Sequence, residues 1–256
     1  MSWLQAVILG LVEGVTEFLP ISSTGHLILA SQLLPIAKTD FVKTFTIFIQ
    51  LGAIMAVVVM YARSWLFKWE IIKKLFVAFL PTAAIGLIFY HLVKTYLLGN
   101  SVVVVGALLL GGAVLIVFEY FYREPLNATD DLSKISYRQA FIIGLCQSVA
   151  IVPGVSRAAA TIIGGLTLGL KRRVIVEFSF LLAVPTMAAA SGLDLLKSAG
   201  QLTLVNTELL LVGFVVAFAV AVMAVKFLLK FIKTHNFTAF GWYRIALGLL
   251  FWYWLI

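Results

Sequence analysis

The stretch Glu13-Gly14-Val15-Thr16-Glu17-Phe18-Leu19-Pro20-Ile21-Ser22-Ser23-Thr24-Gly25-His26 places two carboxylates, a run of hydroxyls and an imidazole inside a chain that otherwise favours hydrocarbon. Of its 256 residues, 62% are hydrophobic and 12% charged, against about 45–50% and about 25% in a soluble domain. The chain therefore reads as an integral membrane protein. Inside a bilayer every ionisable group is expensive, so such a cluster marks function by default. The apolar runs on either side, residues 3–12 and 27–36, are too short to cross alone, because a spanning helix needs about 20 residues. Two half-length runs around a polar tip predict a re-entrant helical hairpin. Irregular backbone at membrane depth is tolerated only when buried in protein or lining a wet cavity.

Outward from this hairpin, full-length apolar runs at 41–62, 75–93, 101–122, 174–193, 208–230 and 239–256 predict six transmembrane helices. Pro81 predicts a kink in the second. Gly106, Gly111 and Gly112 would let the third pack closely. A second polar tip, Pro153-Gly154-Val155-Ser156-Arg157, separates the short runs 139–152 and 158–170 and predicts a second hairpin. Lys and Arg concentrate in 63–74, 123–138, 171–173 and 226–238, which the positive-inside rule puts in the cytoplasm. The turns 94–100 and 194–207, each with one lysine, then lie outside, as do both termini. Trp252 and Trp254 fit an interfacial belt. Glu119, Glu177 and Asp194, near predicted span ends, read as solvated interfacial acids. The start, Met1-Ser2-Trp3-Leu4, lacks the basic region of a cleavable signal peptide.

An internal repeat organises these elements. Gln5-Ala6-Val7-Ile8-Leu9-Gly10-Leu11 aligns without gaps to Gln139-Ala140-Phe141-Ile142-Ile143-Gly144-Leu145, and the same register places Val15 on Val149 and Ser22 on Ser156. The shared Gln, Gly and Ser are not generic membrane residues. Each copy is a hairpin plus three spans, and an odd number of spans inverts the second copy. The expected fold is an all-α polytopic membrane protein: six transmembrane helices plus two re-entrant helical hairpins in two inverted-topology repeats. Repeat one (1–122) and repeat two (139–256) form a single integral-membrane domain, joined by the cytoplasmic loop 123–138. In such folds the two broken elements meet near the midplane, so the tips face each other.

The net charge of +8 lies between apolar spans, where it reads as topology signal and contact with anionic membrane lipid rather than nucleic acid. One cysteine, Cys146, excludes an internal disulfide and a cysteine-rich metal site. No P-loop, dinucleotide fingerprint, zinc-type histidine pair or nucleic-acid motif is present.

Glu13 and Glu17, four apart, share a helix face. They can hold a hard divalent cation with a substrate phosphate, one can be a general base, or one can merely cap a helix or pair with a cation. Ser22, Ser23 and Thr24 follow Pro20 where a helix can begin; one of them is expected as its N-cap, and the free N–H groups there form an anion site. Ser23 can act as a nucleophile with Glu17 or His26 as base. Arg157 suits bidentate phosphate contact, or pairs with Glu13 or Glu17. Ser156 precedes it, and Thr161, one turn on, can donate to the same anion.

These motifs resemble a known family. Glu13-x-x-x-Glu17-Phe-Leu-Pro-Ile-Ser-Ser-Thr-Gly-His26 is similar to the first signature of the undecaprenyl-diphosphate phosphatases of the BacA/UppP type, and Pro153-Gly-Val-Ser156-Arg157-x-x-x-Thr161 to the second. Glu177-Phe-Ser-Phe-Leu-Leu-Ala-Val-Pro185 and Phe48-Ile-Gln50-Leu-Gly-Ala also resemble family segments. The resemblance implies a multi-pass hydrolase of the bacterial inner (cytoplasmic) membrane. It removes the terminal phosphate of undecaprenyl diphosphate, regenerating the monophosphate carrier for cell-wall synthesis, and its overproduction is associated with bacitracin resistance. It also implies two re-entrant hairpins in inverted repeats and a site opening to the outer, periplasmic side. Its pattern gives Glu13 and Glu17 as the acidic pair for a divalent cation, Mg²⁺ or else Ca²⁺, Ser23 as nucleophile and His26 as acid/base. Ser22, Thr24, Ser156, Arg157 and Thr161 grip the phosphate. One departure stands out: Ala158 occupies a position where the family usually has Ser. Sequence fixes no oligomeric state, and a homodimer is admitted. The competing expectations are a lipid flippase or secondary transporter using the same midplane site, and, less well matched, a serine intramembrane protease.

Overall fold

The computed structural model describes residues 1–34, 36, 39–65, 68–97, 100–198 and 207–255. Pro35 and residues 199–206 of the expected turn 194–207 lie outside the described residues, and so does the side chain of Asp194. The described chain is helical: α1 (Trp3–Thr16), α2 (Ser23–Leu33), α3 (Asp40–Trp65), α4 (Trp69–Leu92), α5 (Ser101–Phe121), α6 (Tyr137–Ser148), α7 (Arg157–Thr167), α8 (Arg172–Ser198), α9 (Thr207–Phe231) and α10 (Thr238–Leu255). A π turn, Val93–Leu97, extends α4, and a 3₁₀ turn, Val149–Ile151, extends α6.

Among the described residues five helices, α3, α4, α5, α8 and α9, are long and apolar enough to cross a membrane. The chain is thus a polytopic membrane protein. The sixth expected span corresponds to α10, which has 18 residues and carries a buried arginine, Arg244. The helix α4 is continuous across Pro81.

Helices α1, α2, α6 and α7 have 14, 11, 12 and 11 residues. At about 1.5 Å per residue none reaches across about 30 Å of hydrocarbon. Their starts explain the residues shared between the two halves. Ser2 and Gln5 form a reciprocal capping box at α1: Gln5 N donates to Ser2 Oγ at 3.2 Å and Ser2 N to Gln5 Oε1 at 2.8 Å. Ser136 and Gln139 repeat it at α6, at 3.1 and 2.8 Å. Ser22 caps α2, its Oγ accepting from Gly25 N at 3.4 Å, and Ser156 caps α7, its Oγ accepting from Ala159 N at 3.2 Å.

Packing exchanges the two halves. Helix α1 lies on α9 while α6 lies on α4, α3 packs on α9 while α8 packs on α4, and α3 meets α8 as α5 meets α10. In the register that carries Gln5 onto Gln139, each pair maps onto its counterpart or onto itself. The glycine common to both copies serves these crossings. A Cβ on Gly10 would meet Gly213 O of α9 at 2.8 Å, and a Cβ on Gly144 would run into Ala78 O of α4.

One expectation is corrected at the basic end of the molecule. Glu119 is not a solvated interfacial acid: it is 3% exposed and accepts both terminal nitrogens of Arg172 together with Phe237 N at 3.1 Å. The Arg172 guanidinium lies between the Tyr122 and Phe237 rings, 5.3 and 5.5 Å from their centres. Phe237, in the loop that leads into α10, closes over the pair, and a lone carboxylate there would lack water.

Candidate functional site

The chain between α1 and α2, and the chain between α6 and α7, converge on one cavity of about 230 Å³. The first tip contributes Glu17, Ser22, Ser23 and Thr24; the second contributes Pro153 to Arg157; Gln50 of α3 and Met187 of α8 complete the wall. Two unusual backbone conformations shape the tips. Ser22 has φ 72°, a value that costs a non-glycine residue of order 1–3 kcal/mol and sits where the chain reverses into α2. Gly154 has φ 95°, and a Cβ there would lie 2.6 Å from Val104 O of α5, so only glycine fits.

Glu17 stands at the C-terminal end of α1, its N–H closing the last turn onto Glu13 O at 3.0 Å. Its side chain joins the two halves: Oε2 accepts the Ser23 hydroxyl in a short hydrogen bond, and Oε1 accepts Arg157 Nη2 at 3.3 Å. Arg157 is held in turn by Ser179 of α8, whose carbonyl accepts Nη1 at 2.8 Å, and its guanidinium stands 5.9 Å from the Phe18 ring centre. Its Nε has no hydrogen-bond partner. A hydroxyl paired to a carboxylate, with a guanidinium on the same carboxylate, is an arrangement that can serve as a nucleophile and its base beside an anion-binding cation.

Thr161 does not line this cavity. Its hydroxyl is spent on Arg157 O and Ala158 O, both at 3.0 Å, and on Ser179 Oγ at 2.7 Å. It therefore braces the serine that positions Arg157. His26 also stays outside the lining: Nδ1 meets Ser22 O at 2.8 Å and Nε2 meets the Tyr243 hydroxyl at 2.9 Å, so both ring nitrogens are occupied. The ring stacks on Tyr243 of α10 at 5.6 Å. Glu13 is fully buried, one helical turn before Glu17, and neither of its carboxylate oxygens has a partner. Ala158, also buried, packs in the core.

Sequence reasoning does not single out Gln50, Ser179, Tyr243 or Arg244. For Arg244 the signal is there: a lone guanidinium inside an apolar run. It is 1% exposed and donates to Pro20 O of the first tip at 3.3 Å, to Gly154 O of the second at 3.0 Å, and to Ala107 O of α5 at 2.9 Å. It occupies the space a side chain on Gly111 would take. Among the described residues no carboxylate pairs with it; three carbonyl dipoles from three segments solvate it, and the bonds to Pro20 and Gly154 tie the tips together.

The fold and site define an all-helical polytopic membrane protein with a serine, a carboxylate and an arginine meeting at the junction of two helical tips. The family described as Bacitracin resistance protein BacA matches residues 6–250, and the chain belongs to that family. It is 51% identical to a protein of Aquifex aeolicus over 247 residues, covering 96% of each chain. It is 49% identical to one of a Sulfurihydrogenibium species, over 99% of this chain and all of the relative. It is 49% identical to one of Wolinella succinogenes, over all of this chain and 99% of the relative. Each of these relatives is named undecaprenyl-diphosphatase.

Proposed function

We infer that this chain is a membrane phosphatase that removes the terminal phosphate of undecaprenyl diphosphate, and so supplies the monophosphate carrier for cell-wall synthesis and the bacitracin resistance associated with the family. The observation that carries this reading is the Ser23–Glu17–Arg157 connection across the two tips, within one cavity. The relatives' shared name favours an enzyme over a transporter.

Phosphoryl transfer is catalysed chiefly by positioning and charge stabilisation, and the site supplies both. The Ser23 oxygen attacks the terminal phosphorus while its proton passes to Glu17. The bond from that phosphorus to the bridging oxygen breaks, and the lipid monophosphate leaves. Neutralisation of Glu17 frees Arg157 for the phosphate, joined by Thr24 and by N–H groups at the start of α2 and α7. Glu17 returns the Ser23 proton to the departing monophosphate, and as a carboxylate again it takes a proton from the water that attacks the Ser23 ester, so that inorganic phosphate leaves and Ser23 regains its hydroxyl. His26, tied between Ser22 O and Tyr243, holds the strained turn rather than moving protons.

The acid pair could hold a divalent cation, Mg²⁺ or Ca²⁺, because Glu13 stands buried one helical turn before Glu17 and its two oxygens accept no hydrogen bond from a donor. No group of three acidic, His or Cys side chains stands ready for a metal among the described residues, so a cation held by Glu13 and Glu17 would complete its shell with phosphate and water. When bound, it would offset the charge of the diphosphate.

In this reading the chain forms six spans with two re-entrant hairpins in inverted repeats, and the site lies near the midplane of the bacterial inner membrane, open to the periplasmic side. The four helices too short to cross, and the basic loops at the opposite end, support that placement. The test is phosphate release from undecaprenyl diphosphate in detergent, with mass spectrometry of Ser23 after rapid quenching. Release with a phosphoserine at Ser23 is the expected result. Full activity in Ser23→Ala protein would sink the covalent route, and no release by the parent would sink the whole reading.

A further inference from the structure

Helix α3 gives the polar cavity a third wall, separate from both tips. From Ile47 to Met60 it carries a single polar side chain, Gln50. An amide inside an apolar span is costly unless it finds a partner, so its presence marks a use. Gln50 is half-buried and lines the same cavity as Glu17, Ser23 and Arg157. Its surroundings hold it still. Ile49 and Ala53 are fully buried, and Phe48 packs on Phe214 of α9 with ring centres 5.5 Å apart. A Cβ on Gly52 would meet Phe214 O at 2.5 Å. Residues 48 and 52 share the face of α3 opposite Gln50, so the helix is pinned to α9 from behind.

Most polar groups on the cavity wall are already engaged. Glu17, Ser23 and Arg157 bond to one another, and Ser22 and Ser156 cap their helices. Among the described residues, only Thr24 and Gln50 line the cavity without a hydrogen-bond partner. Thr24 has a single hydroxyl. Gln50 has a separate acceptor and donor on one rigid plane.

We propose that Gln50 orients the water that hydrolyses the Ser23 phosphoester. This rests on the covalent route proposed above. Attacking and leaving oxygens stand roughly in line in phosphoryl transfer. Ser23 is the leaving oxygen of this second step, so the water approaches phosphorus from the side away from it. Glu17, bonded beside Ser23, takes a proton but does not by itself aim the water's lone pair. The Gln50 amide does: Oε1 accepts one water proton while Nε2 donates to a phosphate oxygen. The water oxygen bonds to phosphorus as the Ser23 ester bond breaks. The other water proton passes to Glu17 and on to the Ser23 oxygen, and inorganic phosphate leaves. A neutral amide suits the place, because a carboxylate would repel the phosphate and an ammonium could not accept.

The experiment follows undecaprenyl diphosphate hydrolysis by the full-length protein in detergent, by rapid quench and at steady state. The parent is compared with Gln50→Met, which keeps the length of the side chain but not its amide. Ping-pong kinetics separate the steps: kcat/KM reports formation of the phosphoserine, and kcat its slower hydrolysis. Gln50→Met should release one lipid monophosphate per enzyme at the parent's rate, then turn over about 10²-fold more slowly, the loss expected from a misplaced reactant. Its kcat and KM should fall together, with more phosphoserine at Ser23 than in the parent and an unchanged thermal midpoint. Gln50→Asn, its amide drawn back by one methylene, should show the same pattern to a lesser degree. Parent-like turnover in Gln50→Met overturns the proposal. So does an equal loss in both steps without added phosphoserine, which would make Gln50 a phosphate contact only. Turnover by the parent with no phosphoserine in parent or variant would sink the covalent route itself, and the proposal with it.

Discussion

At the scale of single residues, Glu17 carries two contacts that ask different things of it. The hydrogen bond from Ser23 suits the proposed role of base; the ion pair with Arg157 makes it a link between the two tips. Substitutions separate the two. Glu17→Gln keeps the shape and loses the charge, and phosphate release should fall by about 10²–10⁴, the usual worth of a positioned base. Ser23→Ala should match it within that range, because the hydroxyl and its base act as a unit. Arg157→Ala should also lower thermal stability, since removing one partner strands a buried carboxylate at about 3–5 kcal/mol. Arg157→Lys keeps a charge but not the planar fork, so it should lose turnover while holding most of the thermal midpoint. Parent-like turnover in Arg157→Lys would show that the fork is not what grips the phosphate.

At the scale of elements, the helix starts do the organising. The register that pairs Gln5 with Gln139 also pairs Ser22 with Ser156, and the structure shows that all four are capping residues. The same register sets Ser23 on Arg157, each the first residue of its half-helix. Two equivalent positions therefore carry complementary groups, a hydroxyl on one tip and a guanidinium on the other, which the proposed function uses as nucleophile and anion binder. Ser136→Ala breaks the α6 capping box and should cost about 1 kcal/mol, read as a thermal midpoint lower by a few degrees with turnover little changed. Gly144→Leu should do more harm, because the new side chain runs into Ala78 O and overpacking costs about 1–3 kcal/mol. A Gly144→Leu protein as stable as the parent would mean that α6 and α4 are not held at this distance.

At the scale of the whole molecule, Arg244 joins what the chain separates. Pro20, Ala107 and Gly154 are far apart in sequence, and one guanidinium gathers their carbonyls. Arg244→Leu takes the donor from two buried loop carbonyls, Pro20 O and Gly154 O, at about 1–3 kcal/mol each, so both stability and turnover should drop. Arg244→Lys, with three donors on a flexible stem, should restore part of each. The expected topology has its own check. In a Cys146→Ala background, a membrane-impermeant maleimide should reach Ser133→Cys only from the cytoplasmic side and Tyr96→Cys only from the outside. Both labelled from one side would overturn the inverted arrangement.

The sequence by itself determined the membrane class, the two polar tips and most of the residues that meet there. Hydropathy and run length are local properties, and a carboxylate or guanidinium in an apolar run stands out without any fold. Its motifs also carried the family resemblance. Other matters only the tertiary structure decided, because they depend on which atoms reach which. Thr161 and His26 carry the right chemistry for a direct role, yet their hydrogen-bonding groups are turned to Ser179 and to Tyr243. Glu119 looks interfacial until the loop folds over it. Arg244 looks like a stray charge until three carbonyls from distant segments converge on it, since a side chain's partner in a packed interior is set by the crossing of helices and not by its neighbours in the chain.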